Sequence, residues 1–309
     1  MKNPPNHINA AHLQADLDIT ADVCVIGTGA GGGVAANVLS GMGLKVVMVE
    51  EGGYYDSSDF KGVEFDAYPN LYQEAGMRAT ADKAIGLYQG KSVGGGTTVN
   101  WTTSIRTPDR VLQHWTDSHG VKGASPREML PWFEMAEQMM NITPWSPATP
   151  PNTNNDLLAQ GLKKFNYEVS FMHRNVKGCV NSGYCGTGCP YDAKQSQLLI
   201  SIPKVLSEGG RLFSRLRVER LVWVKNRVEK AICVALDQNG SLPTGKTVTI
   251  TAKHFVLAGG AINSPGVLLR SSVPNPYLTL GTRTFLHPVT IMTALMDQKV
   301  EGWSGAPQS

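Results

Sequence analysis

The hydrophobic pattern of the first fifty residues predicts a strand, a helix and a second strand. Residues 22–26 form a short apolar run rich in β-branched side chains, which is typical of a strand buried on both faces. A glycine loop over 27–33 follows, and apolar residues then recur at helical spacing over 34–39. Residues 44–49 form a second apolar run that ends in Glu50. The segment therefore predicts a β-α-β unit with two parallel strands.

Alternating apolar and polar residues in the second half predict a β-meander that leads into another buried strand. The period of two runs through 218–225, 228–236 and 247–251, with turn residues between the segments. Residues 255–258 form a further apolar run that ends in two glycines. Between the two patterned regions, 111–165 has helical spacing broken by a proline-rich segment. The order of these patterns predicts an α/β fold with a mainly helical or irregular insertion.

Composition and charge exclude several classes of protein. A hydrophobic content of 41% excludes a disordered chain, and five cysteines in 309 residues do not make a disulfide scaffold. The net charge of +3, without a cluster of Lys or Arg among aromatic residues, argues against a nucleic-acid partner. The uncharged stretch 23–44 contains seven glycines, so a strand, turn and helix explain it better than a membrane span. We therefore expect a cytoplasmic protein, because 1–18 is a poor signal peptide, and leave peripheral membrane contact open.

The glycine loop after the first strand fits the pattern G-x-G-x-x-G, with Gly27, Gly29 and Gly32 at its glycine positions. Glycines there let the backbone turn sharply and approach a pyrophosphate, whose charge meets the first amides of the following helix. Glu50 ends the next strand, where a carboxylate can accept hydrogen bonds from ribose hydroxyls. Because the acid disfavours a 2′-phosphate, the motif predicts NAD or FAD rather than NADP. The alternative is a glycine-rich turn that binds no ligand.

Two further glycine loops add to this motif. The candidate binding residues of the second loop are Gly94, Gly95, Gly96, Thr97 and Asn100. Such a loop brings backbone N–H groups close to a planar or anionic group, although a tight structural turn is the alternative. Ala258 and Gly259 end the last buried strand, and nucleotides bind at the carboxyl ends of parallel strands. An NAD-dependent dehydrogenase would explain the first loop but would leave the other two without a role.

The three loops together resemble the glucose–methanol–choline (GMC) family of FAD-dependent oxidoreductases. The segment 22–53 is similar to the family's adenine-dinucleotide motif, 90–100 to its first signature and 260–265 to its second. The match runs in the family's order from about residue 22 to residue 309. Residues 185–196 are similar to the branch that includes long-chain alcohol oxidases.

The resemblance implies non-covalent FAD in a Rossmann-like domain with a parallel sheet and a β-meander. It places the three glycines of the first loop at the pyrophosphate, Glu50 at the adenosine ribose and 94–100 beside the isoalloxazine. It also places the backbone of Val218 at the adenine. Some members attach FAD through a histidine just before the loop asparagine. Val99 holds that position here, so we expect no covalent bond.

The family's architecture also implies domain boundaries. The predicted domains are a discontinuous FAD-binding domain over 20–110 and 196–285, an insertion or cap region over 111–195, and the start of an incomplete substrate domain over 286–309. An apolar run at 289–295 resembles the first strand of that substrate domain.

The reaction that the resemblance implies is oxidation of a primary or secondary alcohol, in which a base takes the hydroxyl proton while hydride passes to flavin N5. The family's catalytic histidine lies in a C-terminal segment that this chain lacks. We therefore expect the N-terminal portion of a longer enzyme and assign no catalytic base, although His287 lies near the expected crevice. A catalytically dead nucleotide-binding module is the alternative from another class of protein. Neither the alcohol nor the electron acceptor has a signal in the sequence.

Three cysteines lie within eleven residues, at Cys179, Cys185 and Cys189. They could be iron–sulfur ligands, or they could belong to a compact loop with one disulfide. The C-x2-C pairs of common clusters are absent, so we favour the compact loop and assign no metal. Cys24 and Cys233 fall in strand patterns and are expected to be small buried hydrophobic residues.

Overall fold

The computed structural model describes residues 4–145, 151–286 and 289–308. The chain divides into two compact units, of which the first comprises residues 1–99, 186–190 and 196–293. The second unit comprises residues 100–185, 191–195 and 294–309. His287, which the sequence placed near the expected crevice, and residues 146–150 of the proline-rich segment lie outside the described residues.

The described strands and helices are numbered in chain order. The strands are His7–Asn9 (β1), Leu17–Ile26 (β2), Val46–Val49 (β3), Ile142–Pro144 (β4), His173–Asn175 (β5), Arg211–Ser214 (β6), Leu216–Val224 (β7), Arg227–Leu236 (β8) and Pro243–Leu257 (β9). The α-helices are Ala30–Gly41 (α1), Glu64–Leu71 (α2), Gly96–Val99 (α3), Asp109–His119 (α4), Pro126–Met139 (α5), Thr153–Lys164 (α6), Gln197–Ile200 (α7), Ile202–Ser207 (α8) and Gly260–Arg270 (α9). Short 3₁₀ helices cover Ala10–His12, Gln73–Gly76 and Tyr184–Thr187.

The first unit is built on a seven-stranded sheet with the order β1-β6-β3-β2-β9-β8-β7. The pairs from β1 to β9 in that order are parallel, whereas β9, β8 and β7 pair as an antiparallel meander. The α/β fold with a mainly parallel sheet and a β-meander is therefore confirmed. The predicted β-α-β unit corresponds to β2, α1 and β3.

Strand β3 and residues 23–26 of β2 are apolar because both faces of the sheet are covered there. Cys24 and Ile26 of β2 pack in one hydrophobic cluster, whereas Val23 and Val25 pack in another. The first cluster includes residues of the meander and of α9, and the second includes residues of α1 and α8. Alternate side chains of one strand thus enter different cores, as the period of two requires.

Two strand predictions were wrong. The segments 247–251 and 255–258 are not separate strands, because β9 runs without interruption through both, and Ala258 follows its end. The long strand β2 pairs with β9 from Leu17 to Ile26 and keeps the intervening residues extended. Residues 289–295 contain no strand in the described part of the chain, and Ile291 is 85% exposed. An apolar run becomes a strand only when its backbone groups find a partner.

The sequence interpretation also missed short elements. Strands β1 and β6 have three and four residues, too few to show a period, yet β6 adds to the parallel sheet beside β3. In the second unit, helices α4, α5 and α6 accompany a two-stranded antiparallel sheet of β4 and β5. Among the described residues, no helix is long and apolar enough to cross a membrane.

Candidate functional site

Sheet register brings three predicted site residues to one edge of the first unit. Ile26 pairs with both Val49 and Leu257, so β2, β3 and β9 end level with one another. The next residues are Gly27, Glu50 and Ala258. Hydrogen bonds continue past the strand ends, from Gly27 N to Val49 O at 2.8 Å and from Ala258 N to Ile26 O at 2.7 Å. This edge is the carboxyl end of the parallel strands, where nucleotides bind in such sheets.

The first glycine loop is closely packed at two of its three motif positions. Gly27 has a φ of +95°, and a Cβ there would overlap the carbonyl oxygen of Ala258. A Cβ on Gly32 would overlap the carbonyl oxygen of Gly27, so α1 lies directly against the turn. Gly29 caps α1 without a side-chain hydrogen bond, and Gly31 in the first turn has open space around it. The first amides of α1 are therefore accessible to an anion.

Thr28 joins this loop to the end of β3. Its backbone N–H donates to Glu50 Oε2 at 3.1 Å, and its hydroxyl donates to the same oxygen at 2.7 Å. The other carboxylate oxygen, Oε1, accepts a hydrogen bond from Gly52 N at 2.9 Å. Thr28 has no solvent-exposed surface, and Glu50 is 7% exposed. Sequence reasoning missed Thr28, because a hydroxyl at a variable position of the motif carries no signal by itself.

The second glycine loop contacts the first. Gly94 N donates to Thr28 Oγ1 at 3.1 Å. A Cβ on Gly95 would lie 2.7 Å from the Cα of Gly29, so the two loops approach too closely for a side chain. Gly96 by contrast is exposed and has open space around it. The Thr97 hydroxyl donates to Gly94 O at 2.6 Å and stabilises the turn.

Asn100 is the first residue of the second unit. Its carbonyl oxygen accepts a hydrogen bond from Lys194 Nζ at 2.7 Å. Its side-chain oxygen Oδ1 is buried and has no partner among the described residues. A buried acceptor without a partner costs free energy unless a ligand or water satisfies it.

The remaining candidate residues, Gly259 and Val218, also belong to the first unit. Gly259 caps α9, again without a side-chain hydrogen bond. Val218 is buried in β7, and its carbonyl oxygen accepts a hydrogen bond from Arg270 at 3.2 Å. Strand β7 begins beside Glu50, because Leu216 N donates to Glu50 O at 3.0 Å. Among the predicted residues, Gly27 thus lies against Gly32 and Ala258, and Gly29 lies against Gly95. Thr28 links Glu50 to Gly94, whereas Gly96 has open space around it.

Burial dominates the electrostatics of this edge. It raises the pKa of the Glu50 carboxyl, and the hydrogen bonds from Gly52 and Thr28 partly oppose that shift. Burial also lowers the pKa of the Lys91 ammonium, and the charges of Arg215 and Arg217 act in the same direction. Lys91 donates to Gly240 O at 2.6 Å and lies 3.9 Å from a carboxylate oxygen of Glu51.

The cysteines form neither a disulfide nor a metal centre in the part of the chain that is described. None of the five thiols is part of a disulfide, and no group of three or more metal-ligating side chains comes together there. Burial raises the pKa of Cys24 to about 12, in keeping with a thiol that acts as a small hydrophobic residue. In the second unit, Cys185 Sγ lies 3.6 Å from the guanidinium of Arg174.

Comparison with known proteins identifies the family. The sequence profile described as GMC oxidoreductase matches residues 68–289, which is more than half of the chain. The chain belongs to the GMC oxidoreductase family. The resemblance seen in the glycine motifs is thereby confirmed.

Several GMC oxidoreductases are similar to this one over part of their length. An uncharacterized GMC-type oxidoreductase of Mycobacterium tuberculosis is 34% identical over 291 residues, covering 94% of this chain and 45% of the relative. A long-chain-alcohol oxidase of Arabidopsis thaliana is 32% identical over 293 residues, covering 93% of this chain and 38% of the relative. A formate oxidase of Aspergillus oryzae, studied for FAD modification, shares the fold with a TM-score of 0.56 at 14% identity, over 84% of this chain and 48% of that one. The chain thus spans less than half the length of each.

Proposed function

We propose that this GMC family chain is the FAD-binding portion of an oxidoreductase that acts on the CH–OH group of alcohols. Family membership supports oxidoreduction, and the similarity to a long-chain-alcohol oxidase supports an alcohol as the substrate. The observation that carries the FAD assignment is the contact between the two glycine loops at the carboxyl ends of β2, β3 and β9. A structural turn alone gives no reason for two backbone-exposing loops to meet at this edge.

The residues present fit the adenosine and pyrophosphate part of FAD. The first turn of α1 has no side-chain cap and offers backbone amides to a pyrophosphate. Glu50 keeps acceptor capacity on Oε1, which can receive a ribose hydroxyl. The second loop brings the backbone of Gly94 and Gly95 to the same edge. When bound, the isoalloxazine of FAD supplies the acceptor for the hydride of the alcohol.

Binding of FAD is non-covalent in this proposal, because Val99 holds the position at which some family members carry a bonding histidine. We assign no catalytic base to this chain, and the activity as a whole belongs to a protein of the relatives' length. The domain boundaries and the position of Val218 at the adenine stay predictions. The cytoplasmic location also stays a prediction. We assign neither a peripheral membrane contact nor an electron acceptor.

The decisive experiment is thermal unfolding of the purified chain with FAD, with NAD and without nucleotide. A ligand that binds the folded state at a hundred times its Kd stabilises it by about 2.7 kcal/mol, so FAD should raise the midpoint clearly while NAD should not. The desalted chain should also keep a flavin absorption spectrum. A colourless chain that FAD does not stabilise after refolding would overturn the proposal, and stabilisation by NAD alone would favour a dehydrogenase.

A dye-reduction assay addresses the catalytically dead alternative. If the chain with FAD reduced a dye at the expense of an alcohol, the chain would contain its own base, and the dead-module alternative would be excluded.

A further inference from the structure

The hydrogen bonds around Glu50 leave one acceptor position on its carboxylate. Oε2 receives two donors, the backbone N–H and the hydroxyl of Thr28. Oε1 receives one donor, the N–H of Gly52. A carboxylate oxygen accepts two hydrogen bonds in the plane of the group, so Oε2 is filled and Oε1 has one lone pair left.

The direction of the Thr28 hydroxyl proton follows from its neighbours. Gly94 N–H can only donate, and it donates to Thr28 Oγ1. The hydroxyl of Thr28 must therefore donate its single proton in a hydrogen bond to Glu50 Oε2. A proton placed on Oε2 would leave the fully buried hydroxyl without an acceptor, which costs about as much as a lost hydrogen bond. Protonation of Glu50 is thus directed to Oε1.

We propose that Thr28 is a positioning residue that makes a proton and a ribose hydroxyl compete for the last lone pair of Glu50 Oε1, so that nucleotide binding is coupled to release of a proton. The inference rests on the proposed FAD function. The charged groups whose fields reach Glu50 are Glu51, beside it in the chain, and Lys91 from the second glycine loop. The charge of Glu51 favours the protonated form of Glu50, and the charge of Lys91 favours the ionised form. Both act on the carboxyl group as a whole, so the hydroxyl of Thr28 is the group that decides which of the two oxygens takes the proton.

The coupling predicts a pH dependence with a definite sign. The apo chain holds a proton on Glu50 over a range in which the complex does not, so FAD affinity should rise with pH. We expect FAD affinity to rise by up to about tenfold per pH unit below the raised pKa of Glu50 and to level off above it, measured by titrating FAD and following its fluorescence. Calorimetric titration of the wild-type chain in two buffers of different ionisation enthalpy should show proton release on binding in the same range.

Two variants at one position separate positioning from packing. Thr28→Ser keeps the hydroxyl and should keep the pH profile of the wild type. Thr28→Val keeps the shape but removes the hydroxyl donor to Oε2, so a proton can settle on Oε2 and leave the free lone pair of Oε1 to the ribose. The FAD affinity of Thr28→Val should therefore depend less on pH than that of Thr28→Ser. A purely structural role would lower affinity by the same factor at every pH.

The possible outcomes are distinct. If the wild-type chain binds FAD without releasing a proton at any pH from about 5 to 8, this inference is wrong while the proposed function stands. A Thr28→Val profile that coincides with the Thr28→Ser profile has the same meaning. If the wild-type chain binds no FAD, both proposals fail. Should Thr28→Val not fold, the calorimetric proton count on the wild type still decides.

Discussion

Substituting Gly95 should separate the two glycine loops, and its neighbour Gly96 provides a matched control. Gly95 has a φ of +54°, and an added Cβ would lie 2.7 Å from the Cα of Gly29. The left-handed backbone costs an alanine about 1–2 kcal/mol. The contact is shorter by about 1 Å than the optimal separation of carbon atoms, and overpacking of this kind costs roughly 1–3 kcal/mol. Gly95→Ala should therefore lower the free energy of unfolding by about 2–5 kcal/mol.

Gly96→Ala adds the same methyl group one residue later with the opposite expectation. Gly96 begins α3 and has nothing within 4 Å of the new Cβ, so alanine should leave stability unchanged or raise it by up to about 1 kcal/mol. Guanidinium unfolding of the apo chains measures both values, and at roughly 2 °C per kcal/mol the midpoints in a thermal scan should differ by about 4 °C or more. Equal stability of the two variants would refute the close approach of Gly95 to Gly29.

Three further predictions concern pH, a buried cation and a helix cap. Burial raises the pKa of Glu50 above its usual 4.5, so the folded apo chain holds the proton more tightly than the unfolded chain. The free energy of unfolding should consequently fall as pH rises from about 4.5 through the folded pKa. Urea unfolding at several pH values should show that Glu50→Gln lacks this fall. If the free energies of the wild type and Glu50→Gln changed in parallel with pH, the prediction would be contradicted. Arg174 is fully buried, with its guanidinium carbon 4.3 Å from the centre of the Trp145 ring, and it has no carboxylate partner among the described residues. Arg174→Met should therefore change the free energy of unfolding by less than about 1 kcal/mol, whereas Arg174→Ala should lower it by roughly 3 kcal/mol in the same assay. A large loss with methionine would show that the charge itself stabilises the second unit. Ser125 forms a capping box with Glu128 at the start of α5, so Ser125→Ala should cost about 1 kcal/mol and Ser125→Thr much less, and equal losses would exclude the cap as the cause.

The glycine loops show where local sequence is informative. The turn at Gly27 needs a residue that tolerates positive φ and a close backbone neighbour, and glycine is the residue that meets both needs. The position of Glu50 at a strand end follows from the apolar run before it. Both features depend on a few consecutive residues, so a pattern in the sequence was enough to predict them.

Pairing partners decided the features that the sequence interpretation missed or misjudged. Strand β6 is too short for a period and exists because β3 offers it an edge. Strand β9 is continuous because β2 pairs with it from Val248 to Leu257, whereas the apolar run at 289–295 lacks a partner among the described residues and forms no strand. Strand formation is a property of two segments together, and one segment cannot report it.

The sequence by itself determined the α/β class, the family and the residues able to approach a nucleotide, because glycine spacing and hydrophobic period are local properties. Only the tertiary structure decided that Thr28 touches both Glu50 and Gly94. Those contacts join residues 22 and 66 positions apart, and they arise because the register of parallel strands sets the ends of β2, β3 and β9 level. A hydrogen bond depends on distances of a few tenths of an ångström, which the packing of the whole sheet fixes and no local pattern contains.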